Sequence, residues 1–128
     1  MPKWEDYKAE ASARGSLAHE VYAVVSTPTG GMDAVKANLP GHLEYIKGLE
    51  RAGTLFLAGP LSDESGDEMQ GTGMLILRAA SLADARAVAE GDPMHTSGAR
   101  TFTLRRWMIN EGAVMVNVSL AGQSVTLG

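Results

Sequence analysis

The sequence predicts an α+β fold whose core elements follow the order βαββαβ. Two stretches with helical periodicity separate strand-like runs, and these runs occur singly, then as a pair, then singly. No internal repeat divides the 128 residues, a length that fits one domain. Two helices on one face of an antiparallel sheet give the ferredoxin-like arrangement. We therefore expect a single domain over 1–128 with its core at about 17–110.

The N-terminal part of the chain predicts one helix and one strand. Residues 2–14 have apolar side chains at helical spacing, and Gly15 ends the pattern. Those apolar positions are Trp4, Tyr7 and Ala11. The segment 17–27 is rich in Val, Tyr and Thr, which indicates the first core strand, and Pro28 ends it.

The next helix is expected to begin at Asn38 or Leu39, after a loop with one helical turn at 32–36. Pro40 suits the first turn of a helix, because its missing N–H would have no helical partner there. Gly53 suits the position just after the C-terminus. The apolar stripe of this helix consists of Leu39, Leu43, Ile46 and Leu49.

The rest of the chain predicts a hairpin, a helix and closing strands. Strands at 54–60 and 71–79 are joined by an acidic loop, which we interpret as a solvated hairpin tip. Ser81 caps the third helix, and Asp84 three residues later completes a capping-box pattern. The remaining predicted elements are a strand at 100–109 and a C-terminal hairpin at 113–127.

Both parities of the predicted strands are substantially apolar, which is typical of a sheet with two covered faces. The odd-numbered set is Val21, Ala23, Val25, Leu55, Leu57, Leu75 and Leu77, with Phe102 and Leu104 grouped beside it. The other set is Val24, Phe56, Met74 and Ile76. Since the two helices cover only one face, a second copy of the chain is the economical cover for the other. We expect a homodimer or a larger homo-oligomer.

Composition excludes several classes of partner. The net charge is -4 and no run of Lys and Arg is present, so nucleic-acid binding is not expected. The apolar runs are far shorter than the roughly 20 residues that span a bilayer, and the N-terminus lacks the apolar stretch of a signal peptide. The absence of cysteine excludes thiolate metal sites and a cysteine nucleophile. A small-molecule ligand and a cytoplasmic location are the expectations that remain.

Two titratable residues are candidates for proton transfer. His42, placed in the first turn of its helix, would be kept neutral by the helix dipole and able to accept a proton. It is equally well interpreted as a polar residue near a helix start. Asp92 precedes Pro93, which by itself favours a simple N-cap. We expect both core helices to run in the same direction, so topology alone does not bring His42 and Asp92 together.

The segments "HLEYIKGLERAGTLFLAGPL" and "GTGMLILRAASLADARAVAEGDPM", followed by a strand that ends in Trp, resemble the YciI-like family over residues 20 to 110. The resemblance implies a fold like that of muconolactone isomerase, a dimeric α/β barrel. It also implies that the family's His–Asp pair is His42 and Asp92. Some relatives are implicated in the breakdown of chlorinated aromatics. The family often has an Arg shortly before the His, whereas residues 37–40 read Ala-Asn-Leu-Pro, which weakens the expectation of an anionic substrate.

On this basis we expect a cofactor-independent isomerase or lyase with a small, aromatic or lactone-type substrate. His42 would move a proton, and Asp92 would orient the ring and stabilise its charged form. Two alternatives stay open: a non-catalytic metabolite-binding or interaction module, and an oligomeric scaffold without a pocket. The three histidines are too widely spaced for a metal signature, so no metal is expected. A site made of His42, Asp92 and His95 is the weaker alternative.

Overall fold

The computed structural model describes all 128 residues. Its helices are α1 Trp4–Ala13, α2 Met32–Arg51, α3 Leu82–Glu90 and α4 Pro93–Thr96. Its strands are β1 His19–Pro28, β2 Leu55–Pro60, β3 Gly73–Leu77, β4 Arg100–Ile109, β5 Val116–Ser119 and β6 Ser124–Leu127. The chain divides into a larger compact unit, 20–107, and a smaller one made of 1–19 and 108–128. None of the helices combines the length and apolar character that a membrane crossing requires.

The larger unit is built on a four-stranded sheet in the order β2-β3-β1-β4. Strand β3 pairs antiparallel with both β1 and β2. This is the strand order of the ferredoxin-like arrangement, so the predicted fold class is confirmed. The core between sheet and helices contains Tyr22, Val24 and Leu77 from the strands and Ala85 and Ala89 from α3.

The expectation that the two core helices run in the same direction is wrong. Strands β1 and β3 are antiparallel, and β2 is antiparallel to β3, so β1 and β2 point the same way. Helix α2 returns from β1 to β2, whereas α3 returns from the oppositely directed β3. The two helices therefore run in opposite directions, and the end of α3 lies at the end of the sheet where α2 begins.

Helix α2 is longer than the sequence indicated. It begins at Met32 and carries Pro40 in its interior, not in its first turn. Pro40 has no N–H to donate to the carbonyl of Lys36, so one helical hydrogen bond is missing there. As a result His42 lies in the middle of the helix, where the dipole argument for its neutrality does not apply.

The predicted helix boundaries at Gly53 and Ser81 are confirmed. Gly53 has a φ of 76°, and its N–H donates to the carbonyl of Glu50 at 3.0 Å. The next N–H, of Thr54, donates to the carbonyl of Leu49 at 3.0 Å, which completes a Schellman motif. The hydroxyl of Ser81 accepts the N–H of Asp84 at 3.1 Å and so caps α3.

Grouping the strand positions by odd and even number does not assign them to sheet faces. Tyr22 lies opposite Leu77, whereas Ala23 lies opposite Ile76. Directly paired residues share a face, so an even position on β1 lies on the same face as an odd position on β3. After an irregularity in β2, Leu57 also pairs with Ile76 and is 55% exposed. Leu57, Ile76 and Ala23 thus lie on the face away from the helices.

The smaller unit consists of α1 and the antiparallel hairpin of β5 and β6. Val116 pairs with Leu127, and the strand positions match the predicted hairpin. Within this unit the amide of Asn110 donates to the hydroxyl of Tyr7 at 3.4 Å. The apolar side chains exposed along the hairpin are Val116, Val118, Val125 and Leu127.

Gly91 is required for a close contact between α2 and α3. Its φ of -74° is helical, so glycine is not needed for its backbone conformation. A Cβ atom at this position would lie 2.6 Å from the hydroxyl oxygen of Tyr45. That hydroxyl donates to the carbonyl of Val88 at 2.7 Å and holds the middle of α2 against the end of α3.

Replacing Gly91 by Ala is expected to lower the free energy of unfolding by about 1 to 3 kcal/mol, because the added methyl group displaces the Tyr45 ring. Urea unfolding measures the change. In a Tyr45→Phe background the nearest clashing atom is gone, so the same substitution should cost less. An equal cost in both backgrounds would show that the contact with Tyr45 is not the cause.

Candidate functional site

The larger unit contains a cavity of about 410 Å³ that lies between α2 and the strands β2 and β3 and is open to solvent. Most of its wall is apolar. The apolar wall includes Met32, Val35, Leu39, Ile46, Leu75 and Met94. The polar side chains on the wall are Ser26, Lys36, His42, Thr72 and Arg100. The interpretation as a scaffold without a pocket is therefore wrong.

The structure brings His42 and Asp92 into contact. The Nδ1 atom of His42 lies 2.8 Å from Oδ2 and 3.0 Å from Oδ1 of Asp92. The His42 side chain is 24% exposed and that of Asp92 only 4%. The histidine ring thus lies between a buried carboxylate and the cavity, with the other ring nitrogen, Nε2, hydrogen-bonded to no protein atom.

Asp92 is at once a helix cap and the partner of His42. Its Oδ1 accepts the N–H of Met94 at 2.9 Å, and Pro93 occupies the first turn of α4. This is the N-cap that the sequence around Asp92 predicted. The two interpretations of this residue are therefore compatible, because one carboxylate has lone pairs for both donors.

The pKa of Asp92 is lowered from its ordinary value of 3.8. Burial alone would raise it, but the hydrogen bonds from His42 and from the N–H of Met94 favour the carboxylate. The nearby His95 acts in the same direction. Asp92 is therefore ionised at neutral pH and can only accept, so the proton between the two residues belongs to Nδ1 of His42.

His95 belongs to a second hydrogen-bond chain. Its Nδ1 lies 2.7 Å from the carbonyl of Ala89, and its Nε2 lies 2.7 Å from the hydroxyl of Ser26. Nδ1 must donate to the carbonyl, so in the neutral ring Nε2 accepts the Ser26 proton. Both nitrogens are occupied, so His95 has none free for a metal. The alternative site of His42, Asp92 and His95 fails, as these side chains form no group that could hold a metal ion.

Arg100 contributes a cation to the cavity that the sequence analysis missed. Its Nε donates to the hydroxyl of Ser26 at 3.0 Å, and its Nη2 donates to the carbonyls of Ser26, at 2.9 Å, and Gly71. The pKa of Arg100 is lowered, because the effect of burial exceeds the opposing effect of Asp92. The side chain nevertheless remains charged at neutral pH, as arginine does in proteins. One signal was present in the sequence: Arg100 occupies the parity of Phe102 and Leu104, which face the core.

Lys36 is a second cation on the cavity wall, exposed and in the same helix as His42. Residues 37–40, where the resemblance led us to expect the family's arginine, contain no cation. The absence of a cation from that segment does not leave the cavity without positive charge. By contrast, His19 is exposed at the start of β1 and is not among the residues that line the cavity.

Comparison with known proteins gives a family and a fold. The family profile of the YCII-related domain matches residues 20–108, which confirms the resemblance drawn from the sequence. The uncharacterized protein YjpA of Bacillus subtilis (strain 168) is 28% identical over 74 residues, covering 58% of this chain and 80% of that protein. A solved structure of the 5-chloro-2-hydroxyhydroquinone dehydrochlorinase TftG of Burkholderia phenoliruptrix AC1100, in complex with 2,5-dihydroxybenzoquinone, superimposes with a TM-score of 0.55 at 22% identity. That match covers 68% of this chain and 92% of TftG and shows a shared fold.

The lowered pKa of Asp92 predicts a dependence of stability on pH. A carboxyl group with a lower pKa in the folded than in the unfolded state contributes stability above the unfolded value, and this is lost as pH falls below it. The melting temperature of the wild-type protein should therefore decrease as the pH falls below about 3.8. In an Asp92→Asn variant the melting temperature should decrease less over the same range. Calorimetry from pH 6 to pH 2, a range of about four units around the unfolded pKa, measures the difference.

Asp67→Asn is the matched control, since Asp67 lies exposed in the loop between β2 and β3. It removes the same charge and should leave the acid-induced loss as in the wild type. If Asp92→Asn and Asp67→Asn have the same profile as the wild type, the buried pair does not contribute to acid stability.

Proposed function

Because this chain belongs to the YCII-related family, we propose that it is a small-molecule enzyme in which His42 and Asp92 form an acid–base pair. The observation that carries the proposal is the 2.8 Å contact between His42 Nδ1 and Asp92 Oδ2 at the wall of the cavity. This contact fixes the ring and leaves Nε2 as a proton acceptor with no protein partner. A base needs this combination of a held orientation and a free lone pair.

In the proposed reaction, His42 Nε2 accepts a proton from a hydroxyl group, or from a carbon next to a carbonyl, of the bound substrate. In an elimination, the electron pair left behind forms a double bond while a leaving group, such as chloride, departs with its own bonding pair. In an isomerisation, the proton returns from His42 to a different carbon. Asp92 stabilises the transient imidazolium through the hydrogen bond at Nδ1. Neither route requires a cofactor.

The cavity supports a small aromatic or lactone-type substrate. Its volume of about 410 Å³ lies within the range of about 300 to 1,000 Å³ that is typical of small-molecule sites, and its wall is mostly apolar. The similarity in fold to a dehydrochlorinase in complex with a dihydroxybenzoquinone favours elimination from a six-membered ring.

The proposal predicts that His42→Ala lowers turnover by about 10²- to 10⁴-fold, the usual contribution of a general base. The melting temperature should also fall, because the buried Asp92 carboxylate loses a hydrogen-bond partner, so turnover is compared at a temperature at which both proteins are folded. Chlorinated hydroxyhydroquinones and muconolactones are the substrates to test. Chloride release reports elimination, and deuterium uptake from D₂O, followed by NMR, reports proton transfer. His19→Ala is the matched control, since it removes a histidine that does not line the cavity, and it should leave both rates unchanged.

The same experiment separates the enzyme from a non-catalytic metabolite-binding module. Such a module would be stabilised by one or more of these compounds, measured as a rise in melting temperature, but would release no chloride and exchange no deuterium. In that case the assignment of His42 as a base would be wrong.

We also propose that the protein is a homodimer through the sheet face opposite the helices. Leu57 on that face is 55% exposed, next to the apolar Ile76 and Ala23. A helix layer covers the other face of the same sheet. Ile76 itself is only 4% exposed, so the apolar surface on this face that a second copy would bury is centred on Leu57.

The dimer predicts a solution mass of about twice 13.5 kDa in analytical ultracentrifugation. A charge at the interface is costly to bury, so Leu57→Glu should shift the protein towards the monomer mass. Val118→Glu places the same charge on the exposed hairpin and should leave the dimer intact. The opposite pattern would assign the contact to the hairpin.

A further inference from the structure

We propose that the cavity binds its ligand through an oxyanion, a carboxylate or an ionised hydroxyl, and that Arg100 is the residue that holds it. This inference deepens the proposed function, because it names the chemical class of the molecule that would meet His42. It depends on the same cavity but on different residues and a different measurable property.

The guanidinium of Arg100 is held in place by hydrogen bonds to the protein, but not all of its N–H groups have a protein acceptor. Its Nε and Nη2 atoms donate to the hydroxyl and carbonyl of Ser26 and to the carbonyl of Gly71. Its Nη1 atom has no protein partner, and no carboxylate forms an ion pair with the side chain. Two N–H donors therefore remain for a ligand in the cavity, in a group whose orientation is already set.

The position of Arg100 depends on the hydrogen-bond chain beyond it. The carbonyl of Ala89 can only accept, so Nδ1 of His95 donates to it, and in the neutral ring Nε2 accepts the proton of the Ser26 hydroxyl. The Ser26 oxygen then accepts the Nε–H of Arg100. Ser26 is only 3% exposed, so this chain is shielded from solvent, and the guanidinium is held in place before any ligand arrives.

The charged side chains on the cavity wall are all positive. Its wall contains Arg100 and Lys36 but no aspartate or glutamate. Asp92 is not among the lining residues, and its oxygens are engaged by His42 and the N–H of Met94. Asp92 acts on Arg100 only through space and forms no ion pair with it, and Nη1 of Arg100 keeps two unused N–H donors. An anionic ligand that accepts these charge-assisted hydrogen bonds is therefore stabilised over a neutral one of the same shape. The apolar remainder of the wall accommodates the ring or hydrocarbon body of that ligand.

The test compares ligands of equal size that differ in charge. Titration calorimetry at pH 8.5 measures binding of benzoate against benzamide, and of 4-nitrophenolate against 4-nitroaniline. We expect the wild-type protein to bind at least one anion ten-fold or more tightly than its neutral counterpart. The pair that shows this preference identifies the oxyanion as carboxylate or ionised hydroxyl. Equal or undetectable binding within both pairs overturns the proposal.

Arg100→Gln should abolish the preference and leave the affinity for the neutral compound within about two-fold. Arg86→Gln, on the exposed side of α3, removes the same charge outside the cavity and should retain the preference. If Arg100→Gln does not fold, as judged by circular dichroism, Arg100→Lys replaces it. The lysine keeps the charge and should retain a reduced preference, whereas an unchanged preference in either Arg100 variant would contradict the assignment.

His42→Ala separates this proposal from the catalytic one. It should retain the preference for the anion while losing turnover. Turnover without any preference for anions would leave the acid–base pair standing and remove Arg100 from ligand binding. A preference for anions without turnover would support Arg100 as the ligand-binding residue and make the assignment of His42 and Asp92 as an acid–base pair wrong.

Discussion

The hydrogen bond between His42 and Asp92 connects the folding of the larger unit with its chemistry. It joins the middle of α2 to the residue that caps α4, and the two residues are separated by 50 positions in the chain. The contact requires α2 to lie close to the end of α3, which the absence of a side chain at Gly91 permits and the Tyr45 hydroxyl maintains. A tightly packed helix layer is thus the condition for a correctly held imidazole.

Two hydrogen-bond chains extend from the cavity into the protein and end in the same short segment of backbone. One runs from His42 through Asp92 to the N–H of Met94. The other runs from Arg100 through Ser26 and His95 to the carbonyl of Ala89. The segment 89–94, from the end of α3 to the start of α4, therefore sets the positions of a proton acceptor and of a cation together. Such support from fixed backbone groups is how a small protein keeps two side chains in a defined relation.

The sequence predicted those features that depend on local interactions. Ser81 and Gly53 fix helix ends through bonds to neighbours a few residues away, and both were assigned correctly. Errors arose where the answer depends on distant parts of the chain. The rule for Pro40 failed because α2 continues through the one hydrogen bond that the proline removes. The grouping of strand positions failed because it requires the register between strands. Arg100 was missed for the same reason, since its partners Ser26 and Gly71 lie on other segments.

Pro40 also affects how the cavity can change shape. Lys36, Leu39 and His42 all lie on its wall, and the missing bond from Pro40 to the Lys36 carbonyl falls within this part of α2. A proline inside a helix is the usual place for it to kink, because one longitudinal restraint is gone. Downstream, the Schellman motif at Gly53 secures the far end. Because the missing bond lies beside three residues of the wall, a bend of α2 at Pro40 would change the width of the cavity without any change in the sheet.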